Sequence, residues 1–175
     1  METQAVRDVL VRAMVNEQDG YEFYVAAVAR IADAKGKAVF RSLANDETEH
    51  LRILQNEYER ISQGQSFADL DTARKTLPAQ PALKLFPEKS QLDAMLAKVK
   101  ADIDVLKVAL DFERKGYDMY SAAAKNAADH NVKAVFTYLA NVENGHYELI
   151  DKTLSYLTNK GMWLFDEIER PFFEG

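Results

Sequence analysis

Apolar residues recur at three- and four-residue intervals through four long stretches of the chain, about residues 3–31, 36–61, 102–128 and 132–158. That spacing gathers them on one face of a helix, whereas a strand would alternate every second residue. Prolines, which break helix interiors, fall only at 78, 81, 87 and 171, outside all four stretches. The pattern predicts an all-α single domain over residues 1–175, built from two helical hairpins, 3–61 and 91–159. The turns around Asp33-Ala34-Lys35-Gly36 and Asp129-His130-Asn131 are short, so the helices of each hairpin should run antiparallel. Residues 62–90 form a crossover. A structureless loop of that length is uncommon in a compact domain. If the second and third long helices are parallel neighbours, however, the chain must return along a helix of about 40 Å, which about 25 residues can span. Ser90, followed by Asp93, reads as the N-cap of a short helix ahead of the third long one, and Gly161 as the stop of the fourth. The aromatic tail, 160–175, is expected to pack on the bundle or on a second subunit.

The two hairpins repeat one another. Residues 10–60 align with 106–156 without a gap, pairing Leu10 with Leu106, Ala13 with Ala109, Phe40 with Phe136 and Leu43 with Leu139, and the runs KAVF and LAN recur intact. Two copies at so long a period point to an internal pseudo-twofold repeat and not to a solenoid, whose shorter repeats number three or more.

Six polar residues obey the same offset of 96: Glu17, Glu47 and His50, then Glu113, Glu143 and His146. On a helix, residues three apart share a face about one turn up, so Glu47-x-x-His50 and Glu143-x-x-His146 can each aim a carboxylate and an imidazole at one point. Single glutamates on two further helices complete a set that resembles the formula of ferritin-like di-iron and di-manganese four-helix bundles. Glutamate makes up 14 of 175 residues. Two chance Glu-x-x-His pairs in register with two further glutamates at one offset are therefore rare. Four carboxylates converging in a core would repel one another and lose hydration, and two divalent ions would balance them.

Composition narrows the chemistry further. The chain contains no cysteine, which excludes disulfides, zinc ribbons, four-cysteine iron sites and thiol redox chemistry. A formal net charge of −6 argues against nucleic acid or an anionic membrane as a partner. No apolar run approaches the roughly 18 residues of a membrane span, and the N-terminal METQAVRDVLVRAM mixes charge into its apolar positions, so a cytoplasmic location is expected.

The blocks NEQDGYEFY, LANDETEH, DFERKGYDMY and LANVENGH resemble the ferritin-like domain of the rubrerythrin family, over essentially the whole chain apart from the crossover and the last residues. The resemblance implies two iron ions, with manganese as the other metal such donors accept. It makes Glu17 and His50 terminal ligands of one ion, Glu113 and His146 of the other, and Glu47 and Glu143 bridges. Two departures qualify it. Rubrerythrins carry a further glutamate three residues after the one on the third helix, where this chain has Gly116, and usually a four-cysteine rubredoxin domain. The six-residue set is thus closer to the bacterioferritin ferroxidase centre, and any electron donor must be a separate protein. The resemblance implies a non-haem di-iron oxidoreductase that reduces hydrogen peroxide or dioxygen, as a homodimer, in defence against oxidative stress. Two alternatives stand beside it: a ferroxidase serving iron storage or carriage, and a metal-dependent interaction module without turnover.

Several neighbours admit two readings. Tyr24 and Tyr120 lie seven residues after Glu17 and Glu113, on the same helix face, as plain core residues or as donors to ligand carboxylates. Asp46 is either a solvated surface residue or, by family analogy, the partner of the outer nitrogen of His146; its repeat equivalent is Val142. Gly20 and Gly116 cost about 1 kcal/mol each inside a helix, so they serve close packing or keep a substrate pocket open. His130 reads as a turn residue, and Tyr21, Tyr117, Glu22 and Asp118 as packing and solvent positions.

Overall fold

A computed structural model describes residues 2–76 and 102–158. The expectations for Ser90, Asp93, Gly161 and the tail at 160–175 lie outside these residues, as do residues 77–90 of the crossover. Among the described residues every element is a helix: α1 (Glu2–Arg30), α2 (Ala34–Ser62), α3 (Leu70–Lys75), α4 (Asp102–Asn126) and α5 (His130–Thr158).

Two of the long helices start earlier than the apolar pattern indicates, because their caps are aspartates. The Asp33 carboxylate accepts from Gly36 N at 2.8 Å, and Asp129 Oδ1 accepts from Asn131 N at 2.8 Å and Val132 N at 3.0 Å. These bonds satisfy backbone donors left open in the first turn. The caps repeat at the same offset as the clustered acids. The Asp102 carboxylate accepts from Ala32 N and Asp33 N, tying the first turn to the start of α4.

Side-chain pairs fix the directions of the helices. Arg7 on α1 donates to the Ile61 carbonyl on α2, and Glu17 meets His50, so α1 and α2 are antiparallel. Tyr24 meets Glu113 and Tyr120 meets Glu17, so α1 and α4 are antiparallel too. It follows that α2 and α4 run parallel, as expected. They are not neighbours, however: α1 packs on α2 and α4, and α5 on α4 and α2, which leaves α2 and α4 across the diagonal. A diagonal lets each antiparallel hairpin stay intact while the two hairpins face each other.

The start of the crossover is more ordered than a bare loop. Asp69 caps α3 by accepting from Thr72 N at 3.0 Å, and Ala73 is buried. Six residues are too few for a helical period to show in the sequence. The buried Glu57 carboxylate accepts from Ala68 N at 3.0 Å and pins this segment to α2. Burial pushes its pKa up, against the lowering effects of the Ala68 bond and Arg60. A folded-state value above the unfolded one means that stability is fully present below the ordinary carboxylate range and is lost as pH rises through the folded value. Glu57→Gln, whose amide oxygen can keep the Ala68 bond, should flatten that loss in melting curves taken from pH 4 to 8.

The apolar core is divided. One cluster gathers Leu10, Met14, Ile53, Tyr120, Phe136 and Leu139, and the other Phe23, Tyr24, Phe40, Leu43, Leu106 and Ile150. Repeat partners fall in opposite clusters: Leu10 against Leu106, Tyr120 against Tyr24, Phe136 against Phe40. Glu17 and Gly20 occupy the stretch of α1 between Met14 and Phe23, so the polar cluster sits between two hydrophobic halves.

Candidate metal centre

Each of the four long helices contributes to one buried cluster. Glu17 comes from α1, Glu47 and His50 from α2, Glu113 from α4, Glu143 and His146 from α5, and none is more than 5% exposed. Their donor atoms form two groups of four, Glu17/Glu47/His50/Glu143 and Glu47/Glu113/Glu143/His146, each with all atoms within 4.8 Å of one another. Donors on opposite sides of a single ion lie roughly 4 Å apart at typical bond lengths. Glu47 and Glu143 belong to both groups.

The imidazoles turn the same atom inward. His50 Nδ1 lies 2.9 Å from Glu17, 3.4 Å from Glu143 and 3.5 Å from Glu47. His146 Nδ1 lies 3.4 Å from Glu113 and 3.8 Å from Glu47. The rings face each other at 5.6 Å, 20° from parallel. Tyr24 OH donates to Glu113 and Tyr120 OH to Glu17, so each tyrosine serves the glutamate of the opposite hairpin. Both tyrosines are therefore core residues and carboxylate donors at once. Tyr24→Phe and Tyr120→Phe should each lower the melting temperature of the metal-free protein by the equivalent of about 1–3 kcal/mol, since each leaves a buried acceptor short of a partner.

Electrostatics split the acids into two kinds. Burial raises Glu17, but its hydrogen bond with Glu47 and the charge of His50 outweigh that and hold it down at about 2. Glu113 is likewise raised by burial and lowered by more through Glu143 and His146. Burial together with the Glu17 charge pushes Glu47 and Glu143 well above the carboxylate range. Burial disfavours the charged imidazoles, yet Glu17 drives His50 well up, and Asp46 and Glu113 bring His146 to about 9. Protonated imidazoles and shared protons thus compensate the acids.

That compensation leaves loose ends. Glu113 Oε2, Glu143 Oε1 and His146 Nδ1 are buried with no hydrogen-bond partner among the described residues, and all three belong to the cluster. A cation would satisfy them together. Oxygen and imidazole donors without sulfur suit iron or manganese.

The glycines are occupied positions. A Cβ on Gly20 would stand 3.1 Å from the Phe112 ring and 3.3 Å from Glu47 Cδ. One on Gly116 would stand 3.1 Å from Glu143 Oε2 and 3.4 Å from Asn16 Nδ2. At both positions the first neighbours of an added Cβ include a central carboxylate, the kind of contact that close packing requires. Phe112 and Asn16 are repeat equivalents that sequence reading passed over; each directly precedes a clustered glutamate, which was the available signal. Asp46 Oδ2 lies 3.4 Å from His146 Nε2. His130 is the exposed first residue of α5, and Tyr21 and Tyr117 are 38% and 39% exposed, off the cluster face.

The comparisons with known proteins agree with this geometry. Superposition matches a hypothetical protein from Pyrococcus furiosus with a TM-score of 0.66 at 23% identity, over 90% of this chain and 93% of that one. It also matches a two-domain protein from Anabaena variabilis, described as containing dj-1/thij/pfpi-like and ferritin-like domains, with a TM-score of 0.65 at 14% identity. That match covers 99% of this chain but 41% of the other. At these identities both show the fold alone, a ferritin-like four-helix bundle. No curated protein matches the chain. The rubrerythrin family matches residues 8–154, a span that holds all six clustered side chains, and the chain belongs to that family.

Proposed function

We propose that the protein is a di-iron carboxylate oxidoreductase that reduces hydrogen peroxide or dioxygen with electrons from a separate donor protein. The observation that carries this reading is the sharing of Glu47 and Glu143 between the two four-residue groups, which supports two adjacent ions with two bridging carboxylates. In this reading Glu17 and His50 hold one ion and Glu113 and His146 the other. When bound, the metal pair supplies two electrons to an oxidant. The chain's own residues fix the rest: Tyr24 and Tyr120 anchor the terminal glutamates, and the two apolar clusters keep bulk water from the donors. The proposed unit is a single domain over 1–175 that acts as a homodimer in the cytoplasm. No helix among the described residues is long and apolar enough to cross a membrane.

Anaerobic metal analysis followed by stopped-flow oxidation of the diferrous protein tests the proposal. Two irons per chain and rapid oxidation by peroxide or dioxygen are expected; a protein that binds no metal under these conditions overturns it. Binding should also raise stability by mass action, by about 2.7 kcal/mol when free metal is a hundredfold above its dissociation constant. The melting temperature should rise accordingly on reconstitution.

A ferroxidase role is the second reading. Gly116 stands where rubrerythrins have a further glutamate, and the space around it is filled by Glu143. Iron storage needs a hollow shell and a reductase needs only a dimer, so particle mass in solution separates the two.

A further inference from the structure

We propose that the two metal positions are unequal, and that Asp46 is the positioning residue that makes the Glu113/His146 position the tighter one. This rests on the reading that the cluster holds two ions. The six clustered side chains obey the repeat, but the groups behind the imidazoles do not. The Asp46 carboxylate stands 3.4 Å from His146 Nε2, the ring nitrogen that faces away from the cluster. At the repeat-equivalent position the chain has Val142, which offers no acceptor. No described residue accepts a hydrogen bond from His50 Nε2.

The consequence follows from imidazole chemistry. A ring that gives its Nδ1 lone pair to a metal carries its proton on Nε2. A carboxylate there fixes the tautomer, holds the ring plane and makes Nδ1 a stronger donor. His146 Nε2 is buried and lacks a partner in strict hydrogen-bond geometry. The Asp46 side chain is 49% exposed, so it is free to turn the short distance needed to accept that hydrogen bond. His50 has the opposite arrangement. Its Nδ1 is already 2.9 Å from Glu17, and among the described residues no side chain accepts from its outer nitrogen.

Outer partners of this kind typically change metal affinity 10–100-fold, and the exposure of Asp46 places the expected effect near the lower bound, about tenfold. The test is a titration of the metal-free full-length protein with cobalt(II), followed by calorimetry and by the visible absorption of the bound ion. Wild type should take up two ions in two steps. Asp46→Val should weaken the overall affinity about tenfold and draw the steps together, while Asp46→Asn, which keeps an acceptor oxygen, should retain most of the wild-type affinity. Val142→Asp should strengthen overall affinity by a similar factor, because it supplies His50 with the missing partner. Both positions are only part-buried, so the metal-free variants should stay folded, and their melting curves separate an effect on the fold from one on metal affinity. Overall affinity and step separation unchanged in both Asp46→Val and Val142→Asp would overturn the inference. A wild-type protein that binds no cobalt at all would instead overturn the two-metal reading beneath it.

Discussion

Glu143→Ala and Glu47→Ala are each expected to drop metal content from two ions per chain toward one or none, while the metal-free protein stays folded. Each of these carboxylates belongs to both four-residue groups, so deleting one removes a donor from both positions at once. Glu17 or Glu113, by contrast, belongs to a single group, and its loss should spare one ion. The effect on the metal-free fold has the opposite sign. Glu47 and Glu143 are pushed well up by burial and by neighbouring acids, so each costs the fold free energy when ionised at neutral pH. Replacement by an uncharged residue relieves that cost. Glu143→Gln, which keeps the volume, should melt at or above the wild-type temperature without metal and gain little on metal addition. Two tightly bound ions in both alanine variants, measured by elemental analysis after chelator treatment, would contradict the bridging assignment.

The cluster was legible in the sequence because helical geometry leaves so little freedom. A Glu-x-x-His pair on a helix with one apolar face must present both groups to the same side, and a repeat without gaps must bring the second pair into an equivalent place. The tyrosines were legible as to face but not as to partner. Seven residues put Tyr24 on the same face as Glu17, yet because α1 and α4 run antiparallel it reaches Glu113, on the other hairpin. Only the packing direction decides that exchange. Helix starts were misplaced by two residues because the apolar period begins inside the first turn, whereas the true boundary is set by hydrogen bonds to Asp33 and Asp129. The arrangement of α2 and α4 across the diagonal was hidden for a related reason. Local periodicity fixes which face is buried, but not which of three other helices covers it.

The glycines show the limit most sharply, and they set up the second large effect. Sequence alone could say that a residue without a Cβ was needed at 20 and 116, and the structure says why: the carboxyl groups of Glu47 and Glu143 lie against the bare backbone. Gly116→Ala should therefore have a small net effect on the metal-free fold. Alanine gains about 1 kcal/mol of helix propensity, and the crowded neighbour is the end of a flexible side chain that can retreat by a few tenths of an ångström. Metal affinity should nevertheless fall, because the group that retreats is the Glu143 carboxyl. Gly116→Glu is a different perturbation. It forces a long charged side chain into space already held by Glu143 and Asn16, and it adds a carboxylate to a buried cluster of four. Overpacking and charge burial together should cost about 3 kcal/mol or more, which for a chain of this size is a drop of roughly 10 °C in the melting temperature without metal. Part of that loss should return on metal loading, since a cation offsets the added charge but cannot remove the steric overlap. Melting curves of wild type, Gly116→Ala and Gly116→Glu, each with and without metal, separate the two contributions. A Gly116→Glu protein that melts at the wild-type temperature and binds two ions would show that the helix seam has room for a seventh carboxylate, and that close packing is not what the glycine provides.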